Sequence, residues 1–188
     1  YISSDYGYKI TEFWDGARVC DPLDVRDVNL CMRALRNFHE SSLQVSHVFD
    51  IFEQIEFYES LWDGKPSIFN DYKDTKDKVL RLKPMIEAMP REWALTHIDA
   101  VPDNFLFIGD KIRLIDWEYA GMQDPHVDIA MFAIYSMYDR EHVEALIDSY
   151  FRVGCSADIR SKIYCYIAAC GLLWSNWCEY KRFCGVEF

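Results

Sequence analysis

With 188 residues, 51% of them hydrophobic and 16% aromatic, the chain has material for one substantial core and too little polarity for disorder. Its 31 acidic against 20 basic residues leave a formal charge of −11, which repels phosphate backbones, argues against a nucleic-acid partner and suits a cationic ligand. No apolar run approaches the roughly 20 residues of a bilayer span. Seven cysteines without a C-x-x-C pair, behind an N-terminus with no basic region or apolar signal core, point to reduced thiols and a cytoplasmic protein.

In chain order, residues 8–14 alternate, with Tyr8, Ile10, Glu12 and Trp14 on one face of a strand and Lys9, Thr11 and Phe13 on the other, until Asp15-Gly16 breaks it. Val25, Val28, Met32, Leu35 and Phe38 then recur near helical period and predict a helix over 25–38. A second is expected over 48–62, with Ile51, Phe52, Ile55, Tyr58 and Trp62 inward and Asp63-Gly64 at its end. The pattern resumes over 71–89, where Pro84 either kinks one helix or separates two shorter ones. Further helices are expected over 125–138, opened by Pro125, over 140–151, and over 157–183, where aromatics crowd. No internal repeat or flexible linker interrupts the series.

Between the helices of the two halves lies THIDAVPDNFLFIGDKIRLIDWEYAG, residues 96–121. FLFI and IRLID read as two strands around a turn containing Gly109. Centring that turn on Asp110 pairs Ile108 with Ile112, Leu106 with Leu114 and Asn104 with Asp116, so the last two should face one another at the open end, just after Asp99. Two carboxylates and a carboxamide form an oxygen set suited to Mg²⁺ beside substrate phosphates. Spacing alone leaves open the plainer reading, in which Asn104 only starts a strand and Asp116 only ends one.

The order His97-Ile98-Asp99, then Asn104, then a hydrophobic strand closing on Asp116 resembles the catalytic and metal-binding segments of protein-kinase-like enzymes. More closely, THIDAVPDNFLF with IRLIDWEYAGMQDPHVDIA is similar to the choline/ethanolamine kinase and aminoglycoside phosphotransferase superfamily, especially bacterial choline kinases. The resemblance implies an α+β fold: a mainly helical C-terminal lobe over 19–188 carrying a small catalytic hairpin, with a remnant N-terminal strand and hinge over 1–18. It implies that Asp99 takes or orients the substrate hydroxyl, that His97 braces the loop, that Asn104 and Asp116 hold Mg²⁺ and that Asp128 is a structural support. It also implies ATP as phosphoryl donor, with backbone around Glu12, Phe13 and Trp14 meeting adenine. The remaining histidines, His39, His47, His126 and His142, show no ligand spacing and read as packing or surface residues.

Trp174 and Trp177 stand three residues apart and share a helix face. Two indoles side by side attract a quaternary ammonium group, which cannot donate hydrogen bonds, though such a pair is as a rule core. The pair resembles the tryptophans lining the headgroup pocket of choline kinases, with Tyr135, Tyr138 and Tyr180 as further candidates for the wall. The expected reaction is ATP-dependent phosphorylation of choline, or ethanolamine, to phosphocholine. An aminoglycoside-type phosphotransferase and a non-catalytic choline-binding or regulatory module are the alternatives.

Two departures qualify the resemblance. The chain opens on Tyr1 without a glycine-rich phosphate loop or the family lysine, so an incomplete kinase is expected, with those parts upstream. Ile98 stands where the family usually has a small or polar residue.

Overall fold

A computed structural model describes residues 1–3 and 5–186; the last two residues of the expected 19–188 lobe lie outside them. Seven helices carry nearly half of the described chain, and three small sheets fix segments between them.

Four of the helices start where a short polar side chain satisfies free N–H groups. Asp24 accepts from Arg26 N at 2.8 Å ahead of α1 (Val25–His39). Asp50 accepts from Phe52 N and Glu53 N ahead of α2 (Ile51–Ser60). Pro84 divides the expected 71–89 helix into α3 (Tyr72–Leu80) and α4 (Lys83–Glu87). Its ring would meet the carbonyl four residues back, at Leu80, and that is where α3 stops.

α5 (His126–Tyr135) is buried along residues 126–133, apolar on nearly every side, and therefore central. α6 (Arg140–Tyr150) follows from an Asp139 cap. α7 (Ala157–Phe183), 27 residues and roughly 40 Å long at 1.5 Å per residue, is the spine against which α2, α3 and α5 pack. One core, around Phe52, Ile55, Ile98, Met131, Tyr166 and Leu173, lies between α2, α5 and α7. The second, around Met32, Leu35, Phe105, Phe132, Ile147 and Ile163, joins α1, α5 and α6 to the hairpin.

The strand expected over 8–14 shrinks to β2 (Tyr8–Lys9), which pairs only with β1 (Ile2–Ser3). An alternating segment remains a strand only where a neighbour satisfies its backbone; Ile10 exchanges bonds with Tyr1 at 2.8 Å, and among the described residues no strand pairs with residues 11–14. Three short strands escaped the sequence reading: β3 (Arg18–Val19), β4 (Ala94–Thr96) and β7 (Gly121–Gln123).

The hairpin forms with a different register from the expected one. β5 (Phe105–Ile108) and β6 (Lys111–Leu114) pair Ile108 with Lys111 and Phe105 with Leu114. Gly109, at φ +54°, heads a two-residue turn, whereas the expected register assumed three. That one-residue slip sets Asn104 opposite Ile115, whose N–H it accepts at 3.0 Å, and not opposite Asp116.

β4 and β7 pair antiparallel, Thr96 against Gly121, with the Thr96 hydroxyl donating to Gly121 O at 2.8 Å. Both ends of the 96–121 stretch are thereby tied together above α5. Gly121 is required here by close approach: a Cβ would stand 2.9 Å from His47 Cδ2 and 3.2 Å from Phe49 N.

Candidate active site

The loop between β4 and the hairpin is held from below. Buried Asp128, in the first turn of α5, accepts from His97 N at 2.8 Å and from Ile98 N at 2.7 Å. Those two bonds fix the start of the loop, including Ile98 at φ +71°. A β-branched residue in that left-handed region stores strain of about 1–3 kcal/mol and persists only where its surroundings over-determine it. Burial of the Ile98 side chain in the first core supplies the rest of that constraint.

His97 is fully buried and donates from Nε2 to Ile115 O at 2.8 Å, joining the loop to the end of β6. Its ring meets Trp117 edge-on at 4.6 Å. A 3-10 turn, Pro102–Asn104, then brings Asn104 back toward Asp99. The Asn104 amide nitrogen donates to Asp99 O at 2.8 Å and to Asp99 Oδ2 at 3.0 Å, which leaves its amide oxygen as the group it can offer a cation. Asp99 Oδ1 is buried without a hydrogen-bond partner.

Burial pushes the Asp99 carboxyl above the usual carboxylate range; the Asn104 bond and His97 oppose this, while the charges of Asp116 and Glu118 add to it. Asp116 and Glu118 are therefore near enough for their fields to reach Asp99, although Asp116 does not face Asn104 across the hairpin. At φ +66° the backbone kinks at Asp116, and its side chain is exposed. Among the described residues no group of three or more His, Cys, Asp or Glu could hold a metal ion. Oxygens of the kind offered by Asn104 and the unpartnered Asp99 Oδ1, with exposed Asp116 two residues past β6, suit Mg²⁺, which takes few protein ligands and shares phosphate oxygens.

The tryptophan pair sits in an aromatic cluster on α7. Trp174 is the hub of an aromatic cluster: Trp177 stands 5.7 Å away at 75°, Tyr119 at 5.3 Å and 80°, and Tyr135 at 6.4 Å and 82°. Its indole nitrogen meets Met131 Sδ at 2.9 Å. Burial pushes the Tyr135 hydroxyl up to about 12, with the charge of Asp99 adding to the shift.

Tyr119, edge-on to Trp174, was not anticipated, nor was Tyr58, which packs against the same core. Tyr119 sits three residues after Asp116, and that adjacency was the available signal. Tyr138 is a correction: its hydroxyl donates to Pro22 O and its ring packs on Phe132 and His142 in the second core, apart from Trp174. Among the described rings Tyr180 meets Tyr58, at 6.3 Å, and not Trp174. Cavities of about 390 Å³ beside α3 and α7, and of about 490 Å³ near Phe69 and Arg182, are lined by none of these residues.

At the other end of the chain, Glu12, Phe13 and Trp14 lie outside any strand, with Phe13 86% exposed and the Arg113 guanidinium 5.2 Å over the Trp14 ring.

A helical lobe around a small hairpin, carrying an H-x-D loop, an asparagine five residues on and an aspartate after the second strand, defines a kinase-like small-molecule phosphotransferase. Comparison with known proteins agrees. Residues 14–163 match the model of the phosphotransferase enzyme family, and the chain belongs to that family. Protein LicA of Haemophilus influenzae is 26% identical over 203 residues, covering all of this chain and 74% of that protein. Choline kinase LicA from Streptococcus pneumoniae superposes with a TM-score of 0.82 at 27% identity, covering 94% of this chain and 63% of that one. A LicA structure in complex with AMP gives a TM-score of 0.86 at 27% identity, covering all of this chain and 66% of that one. The chain thus spans about two thirds of the length of the solved structures it matches.

Proposed function

We propose that the full-length protein transfers the γ-phosphoryl group of ATP to the hydroxyl of choline, giving phosphocholine and ADP. The observation that carries this reading is an acid oriented by Asn104 in the same lobe as an aromatic cluster around Trp174, whose Tyr135 feels the charge of Asp99. The wall would hold the quaternary ammonium by cation–π attraction, which would turn the hydroxyl two carbons away toward Asp99. Likeness to the pneumococcal choline kinase, and to a LicA structure with AMP bound, supports the substrate and the nucleotide.

In this reading Asp99 orients the hydroxyl and accepts its proton as oxygen bonds to phosphorus. Its raised affinity for protons fits that task better than an ordinary surface carboxylate would. His97 holds the loop against Ile115, and Asp128 holds it against α5. Asn104 and Asp116 would bind Mg²⁺, which when bound neutralises charge on the transferring phosphates. Backbone around Glu12 to Trp14 would meet adenine, with 1–18 as the remnant of a first lobe and 19–188 as the second.

No described helix is long and apolar enough to cross a membrane, and all seven cysteines are free thiols, which supports a cytoplasmic location. The full-length protein supplied with ATP, Mg²⁺ and, in turn, choline, ethanolamine and an aminoglycoside tests the reading. Choline should be the best substrate by kcat/KM; turnover of the aminoglycoside without choline would overturn it.

A further inference from the structure

Asp128 binds more than the loop. His39, at the end of α1, places Nε2 2.9 Å from Asp128 Oδ2 and Nδ1 2.8 Å from the Tyr150 hydroxyl. Imidazole and carboxylate are both buried. A carboxylate can only accept, so His39 donates from Nε2, while Nδ1 bonds the Tyr150 hydroxyl on the other side. Burial pushes the Tyr150 hydroxyl well above its ordinary range and keeps its hydrogen in place. Tyr150 is itself tied to α1, because the Arg36 guanidinium donates to its carbonyl oxygen.

A continuous chain of bonds therefore runs from α6 through His39 and Asp128 to the amides of His97 and Ile98, one residue before Asp99. This clamp matters in this chain because Ile98 sits at φ +71°, a conformation that a β-branched residue leaves unless it is held. Asp128 Oδ1 holds the Ile98 amide, and the His39 bond fixes the rotation of the same carboxylate.

We propose that His39 is a positioning residue for phosphoryl transfer: through Asp128 it keeps the left-handed Ile98 backbone in place and so aims Asp99 at the substrate hydroxyl. The proposal rests on the reading of Asp99 as the acid–base group. Without His39 the carboxylate keeps only the two loop amides as partners, its hold on them loosens, Ile98 relaxes toward negative φ, and Asp99 moves away from the attacking oxygen. Misplacement of about 1 Å lowers rates by up to roughly a hundredfold.

The test uses the full-length protein with choline and ATP. His39→Phe keeps the ring and removes both bonds; His39→Gln keeps an amide N–H where Nε2 donates. His39→Phe should lower kcat about tenfold or more with KM for both substrates little changed, and His39→Gln should restore most of it. In an Ile98→Gly background, where positive φ costs nothing, His39→Phe should lower kcat by less than about threefold. Should Ile98→Gly fail to fold, amide exchange at His97 and Ile98 in His39→Phe replaces that arm and should be accelerated.

Unchanged kcat in His39→Phe, equal losses in the Phe and Gln variants, a loss confined to KM, the same loss in the Gly background, or unaltered exchange would each overturn the proposal. Asp99→Asn is assayed alongside. If it is inactive while His39→Phe is not, only the His39 inference falls; if it is active, the reading of Asp99 falls first.

Discussion

Asn104 donates from one amide nitrogen to both the backbone carbonyl and the carboxylate of Asp99, at 2.8 and 3.0 Å, so the orientation of the acid is set by a residue that also has an oxygen to offer a cation. Asn104→Ala removes both functions. It should lower kcat by roughly 100-fold, the scale of lost positioning, and raise the Mg²⁺ concentration needed for half-maximal rate. A Mg²⁺ titration of wild type and variant checks both effects.

Asp99 also carries a cost in stability. Its carboxyl is raised by burial and by Asp116 and Glu118, so the folded state binds a proton more readily than the unfolded chain. For an acid raised in the fold, the penalty is present in full above the folded pKa and disappears as pH falls below the unfolded one. Asp99→Asn should therefore raise Tm at neutral pH, and the gain should vanish on acidification through the carboxylate range, as thermal melts across pH will report.

The cluster around Trp174 separates binding from folding. Trp174 is 7% exposed and bonded to Met131 Sδ, whereas Trp177 is half-buried at the edge. Trp177→Leu should raise KM for choline by roughly 2- to 30-fold, the value of one cation–π contact, with kcat nearly kept. Trp174→Leu should raise KM and lower Tm together. Initial-rate kinetics alongside melting curves distinguish the two.

Away from the site, Lys162 and Asp124 form a buried pair at 2.6 Å, with Lys162 also donating to Pro90 O at 2.7 Å and His126 Nδ1 2.8 Å from Asp124 Oδ1. Burial alone would raise Asp124, but the bonds to His126 and Lys162 outweigh it and hold the carboxyl below its ordinary range. Lys162→Met strands that charge and should cost about 3–5 kcal/mol in denaturant unfolding. Because Asp124 is depressed in the fold, its contribution is present above the unfolded carboxylate pKa and is lost as pH falls through the folded one.

What was legible in the sequence follows the length scale of the signal. The long helices were readable: α1 lies within one residue of its expected span, and α7 matches 157–183, because many periodic positions and a polar cap report the same boundary. Strands β3, β4 and β7, of two or three residues, are too short to show alternation and exist only through the partners that tertiary packing brings to them. Asn104 and Asp116 were singled out by motif order, while their expected facing geometry failed because one turn residue decides the register.

The aromatic wall was half legible. Trp174 and Trp177 share a face by arithmetic, but Tyr58 and Tyr119 arrive from α2 and from the segment after β6, and Tyr138 leaves for the other core. His39 gave no sign of its place, because nothing local in its sequence points to Asp128, 89 residues away.

The most direct measurement is turnover of choline and ATP by full-length wild-type protein and by Asp99→Asn, with nucleotide binding followed in parallel. The account predicts that Asp99→Asn loses phosphocholine formation by roughly 100-fold or more, the scale of a lost general base, while binding ATP as the wild type does. Phosphocholine formation by Asp99→Asn at a rate near wild type would contradict it.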